Sequence, residues 1–508
     1  MAVIWNLDNA GHLLRRTAFG GAPKDIQSFF KRHKSVSDAV GELLNFQSPN
    51  IQPPTETFAQ DFTPQQEWWF QQMISAKTAD ACREKLVVFW HSFLVSGVSK
   101  QHDGSYMPIQ NALFRQNAKG NYKDLLRAFQ RDAANLYYLD GIHSVATADR
   151  KNVPVPAAQP NENFGREVME LFSLGLCQLA SDGSFDASKP NYTENDVHQL
   201  SRALTGWNTI VNGQGVWNGD LPYWDGGRCD DNGDGVADPV TIFGITDNNF
   251  RIDDAVKGTK DDIVELLCSR RDSNGNNQAA MFVARKFWSA YGYPPPSPGL
   301  KSLLAGFAKI LVAGNFELAP MLQAMWTSDE FYSDNAKARI VKSPVDFIVG
   351  AMKTFGLTSA TPVRVGNSSN FGKAAADMGM SLFNPPSVAG WQGGMAWMNS
   401  GTLLARLSFV KSLAQTGTKA GGYDLKIIPG MPRSKTSLPT AVLAAVLNFL
   451  GLNSGALAIT PQENAELLKY ISNGGPTLNL SNYDFNDGRI GVRGLIALAL
   501  QTPEYMLF

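Results

Sequence analysis

Apolar positions recur every three or four residues along most of this chain, the spacing of helices that bury one stripe. The pattern predicts helices over residues 122–139, 196–206, 280–291, 303–313, 317–326, 403–414, 440–451 and 493–500. Residues 84–95 (EKLVVFWHSFLV) are apolar nearly all round and predict a helix buried on every side. Thr63-Pro64-Gln65-Gln66 and Thr460-Pro461-Gln462-Glu463 read as helix starts, with a capping Thr and a proline in the first turn. Thr193 with Asp196 reads as a similar start. Strand patterns are short and isolated, Val240–Phe243 among them. The expectation is a mainly α fold with at most a small β-hairpin.

Four stretches break the helical pattern: 47–62, 208–262, 358–373 and 415–438. Residues 1–508 are therefore read as a single large helical domain with long loop inserts. Residues 208–262, rich in Gly, Asn and Asp, form the main insert, and 415–438 a polar loop or linker. Met321–Tyr332 (MLQAMWTSDEFY) and Leu495–Met506 (LIALALQTPEYM) echo each other, which reads as a shared way of ending a helix.

Composition narrows the class. Of 508 residues, 44% are hydrophobic and 18% charged, so the chain is globular. A net charge of −1 gives no bulk attraction to nucleic acid. No apolar run of about 18 residues is present, so no transmembrane helix is expected. The N-terminus lacks a basic start followed by an apolar run, which reads as cytoplasmic. Removal of a leader would make the periplasm or the exterior the alternative. The cysteines Cys82, Cys177, Cys229 and Cys268 form no CxxC pair and are expected as buried thiols.

Several blocks then occur in order: His12–Gly20 (HLLRRTAFG), Phe89–Phe93 (FWHSF), Asn161–Gly175 (NENFGREVMELFSLG) and Tyr192–Trp207 (YTENDVHQLSRALTGW). They continue with Ala284–Trp288 (ARKFW), Ser343–Gly350 (SPVDFIVG), Leu382–Trp397 (LFNPPSVAGWQGGMAW) and Asn399–Leu407 (NSGTLLARL). Together they resemble the bacterial family of domain of unknown function 1800. The resemblance implies a single, largely helical protein, often encoded beside proteins similar to sulfatases and alkaline phosphatases. It implies no particular reaction. Where relatives carry a His-Asp pair before a short apolar element, this chain has CDDNGDGVADPV, so no role is carried to that position.

That departure has its own chemistry. Asp230, Asn232, Asp234, the Val236 carbonyl and Asp238 fit the start of an EF-hand ligand pattern, with Gly235 at the sharp turn. Hard oxygens at alternating positions suit Ca²⁺. The usual closing Glu is replaced by Thr241. The expected role is to brace the insert.

The acidic helix starting near Asn161 carries the other candidates. Spacings of three and four place Asn163, Glu167 and Glu170 on one face. Three readings follow. Glu167 and Glu170 with His91 bind a second divalent metal; or one carboxylate is a general acid or base and Arg166 holds an anion. The third is an ion-pair network of Arg166 and Arg202 with Glu167, Glu170 and Asp196. Trp391 and Trp397 lie in a Gly- and Pro-rich loop and read as platforms for sugar rings, with Gly393-Gly394 admitting backbone approach. No P-loop, dinucleotide fingerprint, G-x-S-x-G or H-E-x-x-H motif occurs. The leading function is an enzyme or enzyme partner acting on a surface polymer such as a glycan. The alternative is a non-catalytic scaffold for a sulfatase- or phosphatase-like partner.

Overall fold

The computed structural model describes residues 3–49, 51, 53, 54, 61–100, 106–144, 160–207, 209–211, 214–216, 239–247, 250–252, 256–361, 363, 370–417, 422–432, 437–472 and 491–508. Among these, 20 α-helices dominate, as the apolar periodicity predicts. Strands are more numerous than the single hairpin expected. They form three two-stranded antiparallel pairs: Cys177–Leu179 with Phe185–Pro190, Thr209–Val211 with Gln214–Val216, and Val240–Ile242 with Ile245–Asp247. The last pair turns through Phe243 (φ 55°) and Gly244 (φ 77°), the two positive values that a tight hairpin requires.

Helix boundaries follow local capping chemistry. The predicted 122–139 helix is two helices, Tyr122–Gln130 and Ala133–Tyr138, because Asp132 accepts the Asn135 N–H (3.2 Å) and starts the second. Thr63 is the first residue of helix Thr63–Ser75 rather than its cap, and Asp61 accepts the Thr63 N–H at 3.0 Å. Thr460 behaves as read, exchanging bonds with Glu463 ahead of helix Pro461–Ser472. Thr193 and Asp196 form a reciprocal capping box on helix Glu194–Ala203.

The buried apolar side chains form one contiguous cluster that runs in sequence from Ala10 to Met506. Helix Thr78–Phe93 crosses it, and Ala81–His91 are all buried. Helix Leu7–Ala18 packs against it. Each echoing segment is an apolar helix followed by a 3₁₀ turn: Leu318–Thr327 with Asp329–Tyr332, and Val492–Ala499 with Glu504–Met506. The described part of the 415–438 stretch packs against the core. Tyr423, Leu425, Ile428 and Met431 are buried, and Arg493 donates to the Tyr423 carbonyl at 3.0 Å.

Candidate functional site

The acidic helix is Glu162–Glu170. Asn161 caps it by accepting the Phe164 N–H at 3.0 Å, and its amide donates to the carbonyls of Leu139 and Asp140. A Cβ at Gly165 would stand 2.1 Å from Ser201 Oγ. Glycine there lets this helix lie directly against helix Glu194–Ala203. Glu167, on the same helix, is only 8% exposed.

Among the described residues the Glu167 carboxylate has no hydrogen bond or ion pair. Burial, and then the charge of Glu170, push its pKa up to about 7, while Arg166 opposes the shift. Glu170 is half-buried and accepts a hydrogen bond from Tyr192 OH at 3.1 Å. Burial and the Glu170 charge raise the Tyr192 phenol well above its ordinary range.

The remaining polar groups are arranged differently from the sequence expectation. Arg166 makes a two-pronged bond to Glu194 at 3.0 and 2.6 Å on the surface, so its guanidinium is already committed. Asp196 serves the capping box and accepts the Phe243 N–H at 2.7 Å, tying its helix to the 240–247 hairpin. Arg202 donates to Gln199 at 2.9 Å. Asn163 is exposed. The five-member ion-pair network therefore does not form as drawn.

His91 lies elsewhere. Its Nε2 accepts the backbone N–H of Phe383 at 3.0 Å, and its ring packs among Trp69, Phe383 and Trp391 at 5.4–5.6 Å. Burial pushes its pKa down to about 3, so the ring is neutral. The Nε2 lone pair is occupied, which takes His91 out of the proposed Glu167/Glu170 metal set. Among the described residues no group of three or more His, Cys, Asp or Glu side chains is placed to hold a metal ion. His12 is also structural, with Nε2 2.9 Å from the Phe331 carbonyl oxygen.

The loop that His91 anchors carries both candidate tryptophans. Gly390 (φ +76°) is required there, because a Cβ would stand 2.8 Å from the Ser92 carbonyl oxygen. Asn399 caps helix Ser400–Gln415, and Thr402 Oγ1 donates to the Trp397 carbonyl at 2.9 Å. Trp391, Gly393, Gly394 and Trp397 all line one cavity of about 420 Å³. Arg285 and Lys286 from helix Gln278–Tyr291 also line it. The buried ion pair of Lys85 with Asp346 belongs to its lining.

The sequence reading singled out the tryptophans but passed over Lys286 and Asp346. The signal was present: an Arg-Lys pair inside the otherwise apolar run MFVARKFW.

With this geometry in view, comparison with known families is decisive. The profile of the family described as "Protein of unknown function (DUF1800)" matches residues 12–507. The chain belongs to the DUF1800 family. No curated protein and no solved structure matches it.

In this DUF1800 chain four of the eight blocks noted in the sequence contribute to the cavity. FWHSF supplies Phe89, Ser92 and Phe93, ARKFW supplies Arg285 and Lys286, SPVDF supplies Ser343 and Asp346, and the 382–397 block supplies the tryptophans. The calcium-like loop, Asp230, Asn232, Asp234, Val236 and Asp238, lies outside the described residues, as does Cys229. Cys82, Cys177 and Cys268 are buried and unpaired. Among the described residues no helix is long and apolar enough to cross a membrane.

Proposed function

We propose that this protein acts on a surface polymer, a glycan in the first instance, and holds a segment of it in the Trp391/Trp397 cavity. One observation carries the reading. Two tryptophans and Gly393-Gly394 line the same half-open cavity as helices distant from them in sequence. About 420 Å³ is the size of a small-ligand site, and aromatic faces suit the apolar faces of sugar rings. Oligosaccharide titration followed by calorimetry tests it. Trp391→Ala should weaken binding at least tenfold, and equal affinity in the variant would refute the assignment.

Glu167 does not line that cavity, and it carries a separate, enzymatic version of the reading. A shielded carboxyl without a partner among the described residues, with a pKa near 7, is suited to give or take a proton at neutral pH. Glu167→Gln should abolish turnover of a bound polymer and leave its affinity unchanged. If turnover persists, Glu167 is not the acid or base. If turnover is absent from the parent protein while binding is intact, the scaffold for a sulfatase-like partner becomes the better reading.

We further propose that the chain is one domain, and that Ca²⁺ at Asp230, Asn232, Asp234, Val236 and Asp238 braces the 208–262 insert. Added Ca²⁺ should raise the melting temperature above that in EDTA, and Asp230→Ala should remove the difference. No shift in the parent protein would refute the site.

A further inference from the structure

The cavity is electrostatically unbalanced. Its described lining holds Lys85, Arg285, Lys286 and Arg339 against one side-chain carboxylate, Asp346, which already pairs with Lys85. The other three cations have no carboxylate partner among the described residues. The chain as a whole is close to neutral, so this local excess does not follow from composition.

Lys286 is the clearest case. It is half-buried, and among the described residues its ammonium makes no hydrogen bond. It rests over the rings of Phe93 and Phe282, at 5.1 and 5.2 Å from their centres. Ring faces recover only part of the hydration that an ammonium loses. Arg285 is partly committed, with Nε donating to the Gly183 carbonyl at 2.9 Å and its guanidinium over Phe185. Arg339 is exposed at the rim, over Tyr293.

Resting on the glycan reading above, we infer that the saccharide held between Trp391 and Trp397 is anionic, and that Lys286, with Arg339 at the rim, receives its acid group. The ring takes the tryptophan faces and the acid group takes the ammonium. Binding thereby supplies the hydrogen-bond acceptor that Lys286 lacks. Burial and the neighbouring Arg285 charge push the Lys286 pKa down to about 8, so an anion that keeps its proton on would be bound more tightly than a neutral analogue. A sugar carboxylate and a sugar sulfate ester share this chemistry.

The experiment compares dextran, dextran sulfate and oligogalacturonate of matched length by calorimetry, on the full chain, at two salt concentrations. At least one charged polymer should bind tenfold or more tightly than dextran, and its affinity should fall with salt. Tighter binding of dextran sulfate assigns a sulfate ester, and tighter binding of oligogalacturonate assigns a carboxylate. Lys286→Met, which keeps the stem over the two rings, should remove most of that preference. Arg339→Gln, at an exposed position, should reduce it severalfold and serves if Lys286→Met does not fold. Trp391→Ala should weaken charged and neutral polymers alike. If dextran binds as tightly as the charged polymers, or both cation variants keep the preference, the anionic assignment is overturned and the glycan reading stands. If none of the three polymers binds, both fall. ATP binding more tightly than every saccharide would also overturn the assignment.

Discussion

The backbone N–H of Phe383 donates to His91 Nε2 at 3.0 Å, joining residues 292 positions apart. This bond fixes one edge of the loop that carries Trp391 to the buried helix Thr78–Phe93. Burial holds the His91 pKa at about 3, against an ordinary 6.5. The neutral ring is the folded form, so its contribution is fully present above pH 6.5. It is lost as pH falls from 6.5 towards 3, because only the unfolded chain takes up the proton in that window. The parent protein should therefore lose up to about 1.4 kcal/mol per pH unit from this group. His91→Gln should show a correspondingly flatter slope in urea unfolding at pH 7, 6 and 5. Equal slopes would contradict the assignment.

Glu167 has the opposite sign. Its folded pKa of about 7 exceeds the ordinary 4.5, so the folded chain holds a proton that the unfolded chain releases. The stabilisation is present below pH 4.5 and is lost as pH rises through 7. At pH 8 the buried carboxylate is charged and has no partner among the described residues. Glu167→Gln should then be more stable than the parent by about 1–3 kcal/mol, with little difference at pH 4.5. Paired urea melts at the two pH values check this. A variant less stable at pH 8 would show that the charge is paired after all.

Gly165 sets how closely the two helices behind Glu167 approach. An added Cβ would meet Ser201 Oγ at 2.1 Å and Ser201 N at 3.1 Å. Gly165→Ala should cost about 1–3 kcal/mol by overpacking, read as a fall in the urea midpoint. Ser201→Ala in the same chain should recover part of that loss, since the nearest clash is with the hydroxyl. No recovery would place the strain in the backbone instead.

The helices were legible because burial imposes a period of about 3.6 on the sequence. Residues 278–291 follow that period, and the observed bounds of 278–291 and 400–415 differ from the expected ones by a few residues. The tryptophan loop was legible through its glycines and prolines. Charge partners were not. Arg166 and Glu170 lie four apart on one helix, yet each bonds a residue of the 192–194 segment instead. His91 looked like a partner for the glutamates because it is polar within an apolar run, but a backbone N–H from a distant loop satisfies it. Such pairings depend on how helices cross, and local periodicity carries no record of that. Lys286 was marked in the sequence by its place in an apolar run, but its lack of a hydrogen bond among the described residues is visible only in the fold.

Asp346 is the point at which burial and charge meet most sharply. Four buried cations, Arg16, Lys85, Lys342 and Arg406, are each steadied by its charge. Burial lowers all four, Lys342 to about 7 and Arg16 to about 9. Lys85 alone bonds it directly, and Ser343 Oγ donates to it at 2.8 Å. Replacing one shared carboxylate therefore leaves several buried charges without compensation. Asp346→Asn keeps the shape and should cost about 3–5 kcal/mol in urea unfolding. Adding Lys85→Met removes the cation most dependent on Asp346 and should return part of that loss. Because Lys342 sits near pH 7 already, the Asp346→Asn penalty should shrink as pH rises towards 9, where that lysine can shed its proton. A penalty that is constant from pH 6 to 9, with no recovery in the double variant, would mean that Asp346 acts through its hydrogen bond to Ser343 and not through its charge.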